Sequence, residues 1–220
     1  MKTQTVLRLY ALLAAASVVA QGDDIPTLIA DGPFVLQVKG RSENSSINGY
    51  LHAVTTPSYP NEQLVLHYDA SSPAPVADNS SYRFYFNYTG RMQSGANELG
   101  FFVSDITVGE PNSYGLMGKA MALTYRPNTN VALPALGTGA SVVDLTGFDG
   151  EGKAFLDYYT DDATYVHGQP ANVSLDIDYY NWAICWQTSY SVSGPTLSWI
   201  TTGQSHNPTC ELVDLLKANL

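Results

Sequence analysis

The chain has 220 residues, a formal net charge of −10 and an isoelectric point near 4.5, with 45% hydrophobic and only 14% charged residues. A surface this acidic repels nucleic acid and anionic lipid headgroups, so neither is an expected partner, and self-repulsion favours a monomer. Only two cysteines are present, too few for a disulfide-rich miniature scaffold.

The first twenty residues place Lys2 and Arg8 ahead of an apolar run from Leu9 to Ala20, with Val18 and Ala20 in the small-residue positions before Gln21. This is the pattern of a secretory signal peptide cleaved after Ala20. The run is shorter than the roughly 18 to 20 residues of a spanning helix, and the C-terminal CELVDLLKANL lacks the apolar tail of a glycolipid-anchor signal, so no membrane insertion is expected. The expectation is a leader over 1–20 and a single secreted domain over 21–220. Loss of Lys2 and Arg8 takes its net charge to about −12.

From there the chain alternates with period two. In order come PFVLQVKG, GYLHAVTT, EQLVLHYD, YRFYFNYT, LGFFVSDITV, GKAMALTY, ASVVDLTG, KAFLDYY, VSLDIDYY, NWAICWQTSY, TLSWITTG and CELVDLL. Strand-length segments punctuated by Gly, Pro, Asn and Ser predict an all-β, single-domain antiparallel β-sandwich or barrel of about 10 to 12 strands. Residues 212–220 suit a short helix as well as a strand. Connections are predicted at 71–81, 109–115, 126–139 and 160–172, the last two long enough to carry a binding surface.

N-x-[ST] triplets occur at Asn44, Asn79, Asn87 and Asn172, whereas Asn207 is followed by Pro208. A secreted chain exposes such sites to glycosylation, and a glycan must point to water. Asn87 therefore assigns Arg83 and Tyr85 to an outer face, with Tyr82, Phe84, Phe86 and Tyr88 turned inward. By the same alternation Phe34, Leu36 and Val38 point inward, as do Val173, Leu175, Ile177 and Tyr179.

Catalytic templates fit poorly. GQSHN at 203–207 has Asn207 where a nucleophile elbow needs glycine, and His206 is too close to Ser205 to act as its base. GTGASV at 137–142 lacks the strand–turn–helix unit of a dinucleotide site. His52, His67, His167 and His206 have no metal-binding spacing. Among Asp149, Glu151, Asp157, Asp161 and Asp162, an EF-hand loop would meet Lys153 and Thr160 where it needs oxygen ligands; a solvated acidic turn fits better. Asp176 and Asp178 share one face of a strand at a spacing that suits glycoside hydrolysis, although their alternation with Leu175 and Ile177 equally fits plain solvent exposure. No catalytic residue, metal or cofactor is expected. Fifteen tyrosines remain, and the doublets Tyr158–Tyr159 and Tyr179–Tyr180 must each expose one ring if they lie in strands. Tyr158, Tyr159 and Tyr180 are accordingly candidate binding residues.

The segment from Trp182 to Cys210 holds all three tryptophans and both cysteines. In an oxidising compartment Cys185 and Cys210 pair, and closing that loop contributes about 3 kcal/mol. Alternation puts Tyr180, Trp182, Ile184 and Trp186 on one face, expected to be core with Leu197 and Trp199 opposite. Cys185 lies on the other face, free to reach Cys210.

The ending YYNWAICWQTSYSVSGPTLSWITTGQSHNPTCELVDL, with its Trp–Cys strand, T-L-x-W strand and N-P-x-C-x-x-V segment, resembles small secreted proteins of filamentous ascomycete fungi. PFVLQVKG followed by SINGYLHA is similar to their opening strands. The resemblance implies a non-enzymatic extracellular or cell-wall glycoprotein, exposed on spores or delivered to a host, where virulence is the context. Its partner would be a cell-wall polysaccharide or a host protein, and it would act by coating or binding. A carbohydrate-binding or glycoside hydrolase-like protein is the alternative.

Overall fold

The computed structural model describes residues 27–56, 63–70, 78–106, 120–137, 144–158, 165–170, 177–189 and 192–220. Residues 1–20, expected to be a leader, and Asn172, Tyr159, Asp161, Asp162 and Asp176 lie outside them. The fold is all-β, and the described residues form thirteen strands in one antiparallel sheet. They are β1 (Ile29–Gly40), β2 (Asn48–Thr56), β3 (Gln63–Asp69), β4 (Phe84–Ser94), β5 (Asn97–Ser104), β6 (Met121–Thr124) and β7 (Val131–Gly137), followed by β8 (Thr146–Phe148), β9 (Ala154–Tyr158), β10 (Ile177–Tyr179), β11 (Trp182–Ser189), β12 (Val192–Ile200) and β13 (Glu211–Asn219). Among the described residues no helix is long and apolar enough to cross a membrane.

The sheet closes on itself. β1 pairs with β2 on one edge and β13 on the other, β2 with β3, β3 with β12 through Thr196 and His67, β12 with β11, and β11 with β13. Closure leaves each strand of this ring paired on both sides and turns one face of it inward, while β10 and β6 remain at the ends of the strand path. Phe34, Leu36 and Val38 supply that face from β1, Leu51 and Ala53 from β2, Phe84 and Phe86 from β4, and Val213 and Leu215 from β13. The remaining strands extend the closed ring: β5 and β8 to β10 beyond β4, and β6 and β7 beside β3 and β12.

One reading of the sequence changes, and one that stood open is decided. Residues 126–139, expected to be a loop, contain β7, whose seven residues VALPALG are all buried. A proline inside an apolar run argues against a central strand because it cannot donate to a ladder. Pro134 sits where β7 passes from β12, paired at Val131 and Ala132, to β3, paired at Ala135 to Gly137, so that flank makes no ladder pairing there. Residues 212–220 are strand and not helix: β13 lies antiparallel to β1 from Val213 opposite Gly40 to Asn219 opposite Phe34.

Tyr82 is buried, as predicted, but ahead of β4 and not within it. It ends a single 3-10 turn, Ser80–Tyr82, and packs on His52 with ring centres 5.4 Å apart, outside the main core. Asn79 caps that turn, its Oδ1 accepting from the Ser81 amide at 3.1 Å and the Ser81 hydroxyl at 2.7 Å.

Candidate functional site

The Trp182–Cys210 segment carries β11, β12 and the returning stretch that leads into β13. β11 and β12 are a hairpin in which Trp182 faces Trp199, Ile184 faces Leu197 and Trp186 faces Pro195. Trp182 is fully buried, packs edge-on against Trp199 with ring centres 4.8 Å apart, and donates its indole N–H to the Ala154 carbonyl at 2.8 Å. This is core, as the alternation predicts.

Trp186 is not. It is 64% exposed, the most exposed large apolar side chain among the described residues. The expectation of a continuous buried face from Tyr180 to Trp186 fails at both ends, for two reasons. Pairing between β11 and β13 stops at Ile184 opposite Glu211, so Trp186 lies beyond the last β11–β13 pair. At the other end, the chain breaks out of strand at Tyr180, whose ring instead packs on Phe155 with centres 5.9 Å apart. Gly147 makes room for Phe155, since a Cβ there would fall 2.3 Å from its ring.

The backbone of Trp186 is held firmly. Its N–H donates to Thr209 Oγ1 at 3.0 Å, and its carbonyl accepts from Asn207 Nδ2 at 3.2 Å. The neighbouring Cys185 is disulfide-bonded to Cys210. Cys185 does not face water: with Val131, Ala183 and Ile200 it forms a second small core, against which Cys210 packs. The returning 201–210 segment is pinned over that core by Asn130, whose Nδ2 donates to the Thr202 and Gln204 carbonyls at 2.7 and 2.8 Å and whose Oδ1 accepts from the His206 amide at 2.8 Å. A rigid backbone therefore presents a large ring to solvent, which lowers the entropy cost of binding through it.

The other candidate residues are dispersed. Tyr158 is 40% exposed and stands near Tyr125, which is 59% exposed. Tyr180 is only partly exposed and donates its hydroxyl to Asp149 at 3.2 Å, and its phenol pKa is raised to about 12, by burial and then by that carboxylate. Tyr158 and Tyr180 thus do not form one site. Asn44 and Asn79 are exposed. Asn87 is not: it is 4% exposed, and its Oδ1 is buried without a hydrogen-bond partner. Its placement on the side of Arg83 and Tyr85 is right, yet that side is covered at Asn87, where a glycan would have to point to water.

The chemical motifs resolve into structure. Ser205 Oγ donates to the Asn207 carbonyl at 3.0 Å and accepts from its amide, which locks the hydroxyl in a turn. Asp149 Oδ1 accepts from the amides of Glu151 and Lys153, both at 2.9 Å, building the β8–β9 turn. Asp178 accepts from Ser94 Oγ at 2.5 Å and ties β10 to the β4–β5 turn. His52 and His67 face each other across β2 and β3 with ring centres 6.1 Å apart. Among the described residues no three His, Cys, Asp or Glu side chains come together in a metal-binding group.

Comparison with protein-family models, with curated proteins and with solved structures finds no match to this chain.

Proposed function

We propose that this protein is a secreted, non-enzymatic fungal surface or host-interface glycoprotein that acts by binding, with Trp186 at its contact surface. The observation that carries the reading is the exposure of Trp186 on a backbone held by Thr209, Asn207 and the adjacent disulfide. Large apolar groups displayed rigidly in water mark interaction surfaces, and tryptophan is enriched among the residues that dominate binding energy. The pattern of Lys2, Arg8 and the apolar run to Ala20, the sequons at exposed Asn44 and Asn79, and the single disulfide all fit an extracellular setting.

The test is to incubate the purified protein with insoluble fungal cell-wall polysaccharides and to measure both its depletion from solution and the reducing ends released. Depletion without release supports the reading. A second reading, a carbohydrate-active protein, is favoured by the exposed tyrosines Tyr125 and Tyr158. It predicts released sugar that disappears when one carboxylate is replaced by its amide.

A further inference from the structure

A different kind of surface lies around the last residues of β13. The inward face of β13 runs Val213, Leu215, Lys217, so the strand that fills the core with aliphatic groups ends it with an ammonium. Lys217 Nζ lies 5.2 Å from the Phe34 ring centre and 5.6 Å from that of Phe148, and it is ion-paired with Asp31. Aromatic faces attract cations through the ring quadrupole, and this pair of rings already holds one.

Beside Lys217 opens a cavity of about 220 Å³, walled by Phe86, Tyr88 and Phe148 and edged by Asp31, Glu98 and Asp149. Its charge is unbalanced. Asp31 neutralises Lys217, and Asp149 is satisfied by the Glu151 and Lys153 amides and the Tyr180 hydroxyl. Glu98 is left over: Oε1 accepts from Gln93 at 2.9 Å, while Oε2 is shielded from water and has no hydrogen-bond partner. A carboxylate so placed is stabilised by a positive charge in the adjoining space. The mouth of a β-barrel lined by aromatic rings with a few polar groups is a recurrent ligand site, and this one is smaller than the roughly 300–1,000 Å³ of drug-sized pockets.

We infer that this mouth binds a small ligand through a primary ammonium group, carried on a compact frame such as an amino sugar or a short diamine. The ammonium occupies the aromatic cavity next to Glu98 and Asp149, and the frame packs on Tyr88. This site is separate from Trp186: β13 reaches the mouth at Lys217, whereas Trp186 lies past its other end.

Calorimetric titration of the full secreted protein at about pH 6, where amines and carboxylates are both charged, tests the assignment with matched probes. Glucosamine and putrescine should bind; N-acetylglucosamine and butane-1,4-diol, their neutral counterparts, should not. The stronger of the two charged probes identifies which frame the cavity prefers. Glu98→Gln, which keeps the shape, should weaken binding about tenfold with an unchanged melting temperature. Glu43→Gln removes the same charge from the β1–β2 turn, at the far end of β1, and should leave affinity within about twofold. Trp186→Ala should leave it unchanged, which separates this site from the proposed contact surface. Binding of the neutral probes as tightly as the amines, no binding of either amine, an equal loss in Glu43→Gln, or loss in Trp186→Ala would each overturn the inference.

Discussion

Trp182 and Trp186 share one side of β11, yet the first is sealed in the core and the second stands 64% in water. The difference lies in what crosses each position: Trp182 packs on Trp199 under paired strands, whereas Trp186 lies beyond the last β11–β13 pair. Replacing the two should therefore have opposite signatures. Trp182→Ala is expected to cost roughly 3–5 kcal/mol, and Trp186→Ala less than about 0.5 kcal/mol, both measured by urea denaturation.

The Cys185–Cys210 bond closes a 25-residue separation and holds the segment that carries Thr209 and Asn207. Its removal by the double Cys→Ser change should destabilise the chain on the order of 3 kcal/mol. It should also loosen Trp186, seen as a red shift and faster acrylamide quenching of the exposed indole under native conditions. A stability loss with no change in quenching would separate the bond from the presentation of the ring.

Asn130 is buried, and its side chain makes three hydrogen bonds to the 201–206 segment. Asn130→Ala strands two carbonyls and one amide, so a loss of roughly 2–4 kcal/mol is expected. Hydrogen exchange should quicken first at Thr201 and His206, whose amides bond to the Asn130 carbonyl and to its Oδ1.

His52 and His67 are both shifted below the usual histidine range, mainly by burial, with Asp69 opposing the shift at His52 and His52 adding to it at His67. The unfolded chain then binds protons at a higher pH than the folded one. Stability from this pair is fully present above about pH 6.5 and is lost as pH falls through that value toward the folded pKa values. Denaturation midpoints between about pH 7.5 and 5 should fall for the native chain, and the slope should flatten in His52→Gln/His67→Gln.

Much of the fold was legible because period-two alternation is a local signal: Phe34, Leu36 and Val38, and Phe84 with Phe86, point inward as their spacing implies. β7 was hidden because VALPALG is apolar throughout and carries Pro134, so neither alternation nor propensity marks it as strand. Asn87 and Trp186 fail for a shared reason. Alternation gives the side of a strand on which a residue lies but not whether anything packs there, and that depends on where distant strands end. The mouth was invisible for the same cause, since Asp31, Glu98, Phe148 and Lys217 meet only once β1 has been laid against β4 and β13. Chain spacing carries no trace of it.

Glycan mapping probes the same question of cover. Peptide mass spectrometry of the protein expressed through a eukaryotic secretory pathway, after enzymatic deglycosylation, should mark Asn44 and Asn79 and leave Asn87 unmodified. At Asn79 the cap uses Oδ1, which leaves Nδ2 available for the sugar.

The most direct test of Trp186 as the contact surface is to compare the native chain with Trp186→Ala and Trp199→Phe for retention on insoluble fungal cell-wall polysaccharide and on immobilised host extracellular protein. The account predicts that Trp186→Ala loses at least about tenfold in affinity at an unaltered melting temperature, while Trp199→Phe lowers the melting temperature and retains binding. Full retention by Trp186→Ala on the surface that captures the native chain would contradict it.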